Sequence, residues 1–307
     1  MSARVQQLGR GLDGASLLHY GAGPLFVLLW SNGFIFVRIA LDYTGPLTLL
    51  AVRYVLVVAV LLAGALLLRA APPRGAAWLH LSVVGLLVQG GNFAFINLSL
   101  AHGLPAGASA LISSLQPILV GLLAPWFAGE TVSARRWLGL TLGLAGTVGV
   151  ILARSQIGVL PLWGLLFSAF ALLSMSAGTL YERRFGIGTG VHPVTANLVQ
   201  TAAGLAMAAP LALWLEPMRF ALTARLIEAL FYLVFANSIV ALMLLLAMVR
   251  LGEASRVSAL FFLVPPITAV LAWGVLGETL PPAGWAGLAV SAVGVAIVTL
   301  ERRRTSA

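Results

Sequence analysis

Cysteine and lysine are both absent from this chain of 307 residues. The first absence excludes disulfides and thiolate metal sites. The second makes every one of the 18 basic residues an arginine, against only 9 acidic residues. Charged residues supply 9% of the chain and hydrophobic ones 60%, with a mean hydropathy of +1.02, so most of it cannot face water. No Asp or Glu falls in the middle third of any apolar run, which argues against a carboxylate proton relay in a membrane core. His80 and His102, near the ends of one run, are the titratable groups left there. Nothing resembles an ATP-binding loop, a His/Asp/Glu metal cluster or a nucleophile–base pair. Catalytic residues, metals and cofactors are therefore not expected. No basic cluster shares a face with stacking aromatics on a soluble module, so nucleic acid is not an expected partner.

What is present is a series of long apolar runs. A membrane span needs roughly 20 apolar residues. Ten are read, at 21–41, 47–68, 78–100, 106–127, 137–153, 161–182, 194–215, 227–249, 255–276 and 284–300. The boundary between the third and fourth is the least marked, resting on His102, Gly103, Leu104 and Pro105. Residues 1–20 are polar and Gly-rich, and the first apolar run is long enough to remain as a span, so no cleavable signal is expected.

Arginine placement orients these spans. With the N-terminus cytoplasmic, 13 arginines (4, 10, 69, 74, 135, 136, 183, 184, 250, 256, 302, 303 and 304) lie inside. Arg154, Arg219 and Arg225 lie outside, and Arg38 and Arg53 fall within the outer ends of spans one and two. This bias places both termini in the cytoplasm. The net charge of +9 is then a topology signal and an attraction to anionic lipid headgroups.

Residues 106–150 repeat at 254–298 without a gap, with 13 identities over 45 positions, among them Pro117/Pro265, Gly129-Glu130-Thr131/Gly277-Glu278-Thr279, Trp137/Trp285, Gly139/Gly287 and Gly146/Gly294. Each half holds five spans, an odd number, so the second half must cross in the opposite sense. Inverted repeats are common in secondary transporters, with the site near the midplane between halves. They occur in channels too.

The first span reads Trp30-Ser31-Asn32-x-Phe34-x-x-x-Arg38, the second begins Pro46-x6-Arg53, and each half ends Pro-x12-Glu-Thr-x5-Trp-x-Gly. This pattern resembles the EamA-type branch of the drug/metabolite transporter (DMT) superfamily, over about residues 20 to 300. Within it the chain is most similar to YddG-like exporters of aromatic amino acids and related metabolites. The resemblance implies an all-α integral membrane protein of the inner or plasma membrane. Ten transmembrane helices would form two inverted five-helix repeats, with both termini cytoplasmic. The expected divisions are a cytoplasmic segment 1–20, a first repeat 21–153, a connecting loop 154–160, a second repeat 161–300 and a cytoplasmic tail 301–307. The implied activity is secondary transport by alternating access, exporting aromatic or large neutral amino acids. A broad drug or metabolite exporter, a sugar or nucleotide-sugar carrier, and a channel or receptor are the alternatives. Membrane lipids are the other expected partners, and the chain would act as a monomer or homodimer.

Candidate solute-binding residues follow from polar or aromatic side chains inside spans. Ser109, Ser113 and Gln116 follow i, i+4, i+7 spacing and would share one face of span four, opposite the apolar equivalents Val257, Phe261 and Val264. Gln89 and Asn92 in span three, with Asn237 as the repeat mate of Gln89, offer amides that can meet a carboxylate or an ammonium. The competing reading is an interhelical bond, and for Asn97 that reading is preferred. Trp30 and Asn32 lie mid-span in span one, where tryptophan packs or lines a pathway. Trp163 is expected in an interfacial belt. Ser168, Ser176 and Thr179 are weaker candidates, because hydroxyls satisfy themselves on the i−4 carbonyl.

Pro117, Pro265 and Pro266 each remove a backbone donor inside a span and are the expected hinges. Glu130 and Glu278 are expected to cap or pair structurally. Arg38 should pair with Asp42 at i+4, and Arg53 is expected to snorkel or pair, attraction of a carboxylate-bearing solute being the alternative. Gly139, Gly143 and Gly146 form a small-residue face for tight helix packing.

Overall fold

The computed structural model describes residues 14–128, 134–155, 161–185, 190–217, 219–250 and 260–305. Among these the chain is helical, with one isolated antiparallel bridge between Thr44 and Phe220 and no strand. The helices are α1 (Gly14–Ala40), α2 (Pro46–Leu67), α3 (Ala77–Ala101), α4 (Ala106–Ser113), α5 (Gln116–Ala128), α6 (Ala134–Ser155), α7 (Leu162–Phe185), α8 (Pro193–Leu215), α9 (Ala224–Leu245, continuing through Arg250), α10 (Val264–Leu276) and α11 (Pro282–Thr305). Seven segments, Gly21–Ala40, α2, α3, Ala106–Leu123, α7, α8 and α9, are long and apolar enough to cross a membrane. The other three expected spans fall on the shorter apolar stretch Trp137–Ala153, on α10 and on α11. The least-marked boundary is where the sequence put it: α3 ends at Ala101, Gly103 takes a φ of 84°, and α4 starts at Ala106.

Apolar residues cover both the inside and the outside of the bundle. Phe26, Ile35, Leu49, Leu100, Leu226 and Leu233 are fully buried in one central cluster. Leu67, Leu79, Trp163 and Trp214 are exposed. That inside-and-out hydrophobicity is what lipid as solvent permits.

The span read at 106–127 is two helices. α4 stops at Ser113, a tight turn follows (Leu115 N to Ile112 O, 3.1 Å), and α5 restarts at Gln116. Pro117 has no N–H to give Ser113 O, and its ring crowds that carbonyl, so the ladder breaks there. This corrects the single face expected for Ser109, Ser113 and Gln116, since Gln116 belongs to a new helix. The second half breaks at the matching place: a short 3-10 turn, Phe261–Leu263, precedes α10, which opens on Val264 with Pro265 and Pro266.

A second matched irregularity has no proline to announce it. α3 is a π-helix over Gly85–Asn92 and α9 is a π-helix over Tyr232–Ala241. The same offset of 148 relates them. Gly85 and Gly91 fit here because a Cβ would collide with Gln200 and Ser174 respectively.

α6 and α11 pack backbone to backbone through the repeated glycines. A Cβ on Gly146 would collide with Gly287 O and Ser291 N, and one on Gly294 would stand 2.6 Å from Gly139 O. Gly146 thus faces Gly287, and its repeat mate Gly294 faces Gly139, the repeat mate of Gly287, the exchange that a two-fold axis between the helices produces. The small-residue face is spent inside the chain.

Candidate functional site

A cavity of about 320 Å³ lies among α1, α2, α3, α4, α5, α7, α9 and α10. Of the expected site residues, Trp30, Asn92, Ser113, Gln116, Asn237 and Phe261 line it, as does Pro117. Asn32, Gln89, Ser109, Pro265 and Pro266 are not in its wall. Gln89 turns toward α2, where its carbonyl and side-chain oxygens accept from the Tyr54 hydroxyl at 2.7 and 3.1 Å. Ser109 is fully buried, with no hydrogen-bond partner for its hydroxyl among the described residues. Asn32 is half-buried beside the wall residues Trp30 and Gly33.

One side of the wall is aromatic. Trp30 and Phe261 meet edge to face with ring centroids 5.7 Å apart, and Phe26 packs on both from behind at 5.5 and 5.3 Å. Because Phe261 sits in the 3-10 turn before α10, the helix break itself presents that ring. Val37, Ile96 and Val120 extend the apolar surface.

The other side carries polar groups already partly engaged. Gln116 donates to Thr179 Oγ1 at 3.0 Å, and Thr179 donates in turn to Met175 O at 2.9 Å. Ser113 donates to Ser109 O at 2.9 Å, one turn back. Asn97 lines the cavity too and donates to Pro46 O at 3.0 Å, the structural bond expected of it. Asn92 is buried, and its amide makes no hydrogen bond among the described residues.

Of the two outcomes expected for Arg53, snorkelling and pairing, the structure shows pairing, directed inward. Its side chain does not snorkel to the surface: it is 4% exposed and forms part of the cavity wall. Nη2 donates to Asn237 Oδ1 at 2.8 Å, Nε and Nη2 donate to Ser238 Oγ at 3.0 and 2.8 Å, and the guanidinium carbon sits 5.2 Å from the Phe93 ring centroid. Asn237 is thereby used at both ends, its Nδ2 donating to Leu29 O at 3.3 Å. The π-helix brings Asn237 and the adjacent Ser238 to the same guanidinium. An arginine seven residues into an apolar span was the signal for this site. Arg38, by contrast, pairs with Asp42 at 2.8 Å on the exposed surface, as its i+4 spacing required.

At the end of the bundle where α2 and α4 begin, bonds join distant segments. Glu278 accepts from Ala106 N at 3.2 Å, capping α4. The preceding Gly277, at φ 67°, ends α10 in the left-handed conformation and turns the chain toward that contact. Glu216 caps α2, accepting from Leu47 N, Thr48 N and Thr48 Oγ1 at 2.7, 2.8 and 2.6 Å. Ser99 donates to Gly164 O at 2.8 Å. A Cβ on Gly107 would stand 3.2 Å from Ala269 Cα, so α4 and α10 touch there. Gly121, the repeat mate of Ala269, has nothing within 4 Å. At the far end of α7, Arg183 is both exposed and part of the wall, so the cavity reaches the surface there. Glu130, the repeat mate of Glu278, lies outside the described residues.

The match to known proteins agrees with this architecture. The EamA-like transporter family model fits residues 21–152 and 162–300, one match to each half. The chain belongs to the EamA-like transporter family. It is 24% identical over 284 residues to the uncharacterized inner membrane transporter YedA of Escherichia coli strain K12, covering 91% of this chain and 90% of that one. It is 27% identical over 296 residues to the uncharacterized transporter YvbV of Bacillus subtilis strain 168, covering 92% and 91%. A probable amino-acid metabolite efflux pump of Salmonella typhimurium strain LT2 is 25% identical over 291 residues, covering 89% of this chain and 92% of the pump. A solved crystal structure with 21% identity superposes with a TM-score of 0.64 over 93% of this chain and 98% of its own, a likeness of fold. The chain is thus a membrane transporter. Family and relatives are transporters, not enzymes.

Proposed function

We propose that this transporter exports small amphipathic metabolites, aromatic or large neutral amino acids first, by alternating access between two inverted five-helix halves. The observation that carries the reading is the cavity itself. It has the size of a small-molecule site, an aromatic wall at Trp30 and Phe261, and a polar wall at Asn92 and Arg53. An amino acid with a large apolar side chain needs both. The printed name of the Salmonella relative, an amino-acid metabolite efflux pump, supports the solute class.

In this reading ten helices span the inner membrane with both termini cytoplasmic, the halves being 21–153 and 161–300. The exchanged glycine contacts of α6 and α11, the matched helix breaks and the matched π-helices support inverted symmetry. With that orientation the end joined by Glu278, Glu216 and the Gly107–Ala269 crossing is outer, and the end open at Arg183 is cytoplasmic. Pro117 and Pro265, with Pro266 beside it, are the hinges. Closing the inner end would bring a neighbour to Gly121, as Ala269 now has Gly107.

The test is uptake of labelled amino acids into proteoliposomes with and without an imposed pH gradient. Saturable flux of phenylalanine or leucine without the gradient is expected, and it marks a facilitative exporter. Flux only with the gradient would direct attention to His80 and His102. No flux of any amino acid would overturn the solute assignment.

A further inference from the structure

We infer that Arg53 is the carboxylate-binding group of this cavity, and that the solute it selects is an organic carboxylate whose amino group is dispensable. This rests on the transport reading and narrows its substrate.

A guanidinium buried within a membrane span is costly and ordinarily sits opposite an anion. None of the described residues supplies one. Arg53 is 4% exposed, and its partners, Asn237, Ser238 and the Phe93 ring, are all neutral. Such partners fix the orientation of the guanidinium and leave its charge intact. Arginine has five N–H donors, and the bonds to Asn237 and Ser238 engage those on Nε and Nη2. The two on Nη1 have no acceptor among the described residues. A held, uncompensated cation in the wall of a largely apolar cavity is a site for an anion. Carboxylate is the anion that fits, because it takes charge-assisted bonds from such a fork while its apolar remainder meets the aromatic wall.

The rest of the wall bears on the amino group. Arg53 and Arg183 are its charged residues, and no Asp or Glu lines it among the described residues. An ammonium would find no counter-charge, only a neutral acceptor such as the unengaged Asn92 amide, which serves a hydroxyl equally well. The buried Arg53 cation, with no Asp or Glu in the wall among the described residues, raises the potential in the cavity and disfavours a free amine. The carboxylate is thus the feature read as charge, and the α-substituent is read weakly.

The experiment compares phenylalanine, phenylpropanoate, phenethylamine and phenylalaninamide as competitors for proteoliposome transport, with hexanoate as a carboxylate lacking the ring. Phenylalanine and phenylpropanoate are expected within about threefold of each other, and the amine and the amide at least about tenfold weaker. Arg53→Gln should erase that difference, and Arg53→Lys should keep part of it. Equal competition by the amide, exclusion of phenylpropanoate, or an unchanged preference in Arg53→Gln would each overturn the assignment. If the variant fails to fold, the wild-type ranking alone decides. Should no aromatic solute move while hexanoate does, in an Arg53-dependent way, the aromatic amino-acid reading falls and the anion site stands. Should no carboxylate move, both fall.

Discussion

Asn237 Oδ1 accepts a 2.8 Å hydrogen bond from Arg53 Nη2 across 184 residues of chain, joining the two halves at the cavity wall. The amide accepts from Arg53 as an aspartate would, but it leaves the cation uncompensated and, unlike a carboxylate, also donates to Leu29 O. Asn237→Asp separates these two effects. The new carboxylate would neutralise Arg53 in place while losing the bond to Leu29 O, so the detergent-solubilised protein should unfold within a few degrees of the parent. Transport of phenylalanine should fall by at least about tenfold, since the solute's carboxylate now competes with an internal one. Retained transport in a stable Asn237→Asp protein would argue against Arg53 as the anchor.

The crossing of α6 and α11 leaves no room for a side chain at Gly146. Gly146→Leu should cost about 1–3 kcal/mol or more through overpacking. A drop in membrane abundance and thermal midpoint would be read by fluorescence size-exclusion chromatography.

Gly107 and Gly121 provide an internal comparison. Gly107→Val meets Ala269 and should destabilise the protein in the conformation described here, whereas Gly121→Val has open space and should leave its thermal midpoint unchanged. If closure at the Arg183 end uses the repeat-equivalent crossing, Gly121→Val should still slow transport several-fold. Full transport by Gly121→Val would remove that crossing from the cycle.

Pro117→Ala and Pro265→Ala restore a backbone donor at the two helix breaks. Each should reduce transport more than membrane abundance, measured side by side by flux and immunoblot. Parallel loss of both quantities would mean that the prolines only shape a static kink.

Glu216 was not singled out in the sequence, yet it satisfies two N–H groups at the start of α2 and the Thr48 hydroxyl. Glu216→Ala should cost about 0.5–2 kcal/mol, the usual value of an N-terminal cap, with Glu216→Gln intermediate. A thermal-shift measurement in detergent checks the order.

The sequence alone determined the class, the repeat, the prolines beside which two helices break and the Arg38–Asp42 pair. Each of these depends on local composition or on spacing along one helix, which a linear chain carries in full. It also named part of the polar and aromatic cavity wall (Trp30, Asn92, Ser113, Gln116, Asn237 and Phe261), because a polar or aromatic side chain inside an apolar span has few places to go. Only the tertiary structure decided which way Arg53 turns, since snorkelling and inward pairing are equally open to an arginine at that depth. The acceptors that draw it inward, Asn237 and Ser238, lie in the other half of the chain. Both are set by a π-helix that no proline announces. Gln89 and Ser109 left the cavity for the same kind of reason: a helix face is a local property, but what stands opposite that face is not. The break before Gln116 moved it off the face its spacing had assigned, because the i, i+4, i+7 rule holds only while the helix is unbroken.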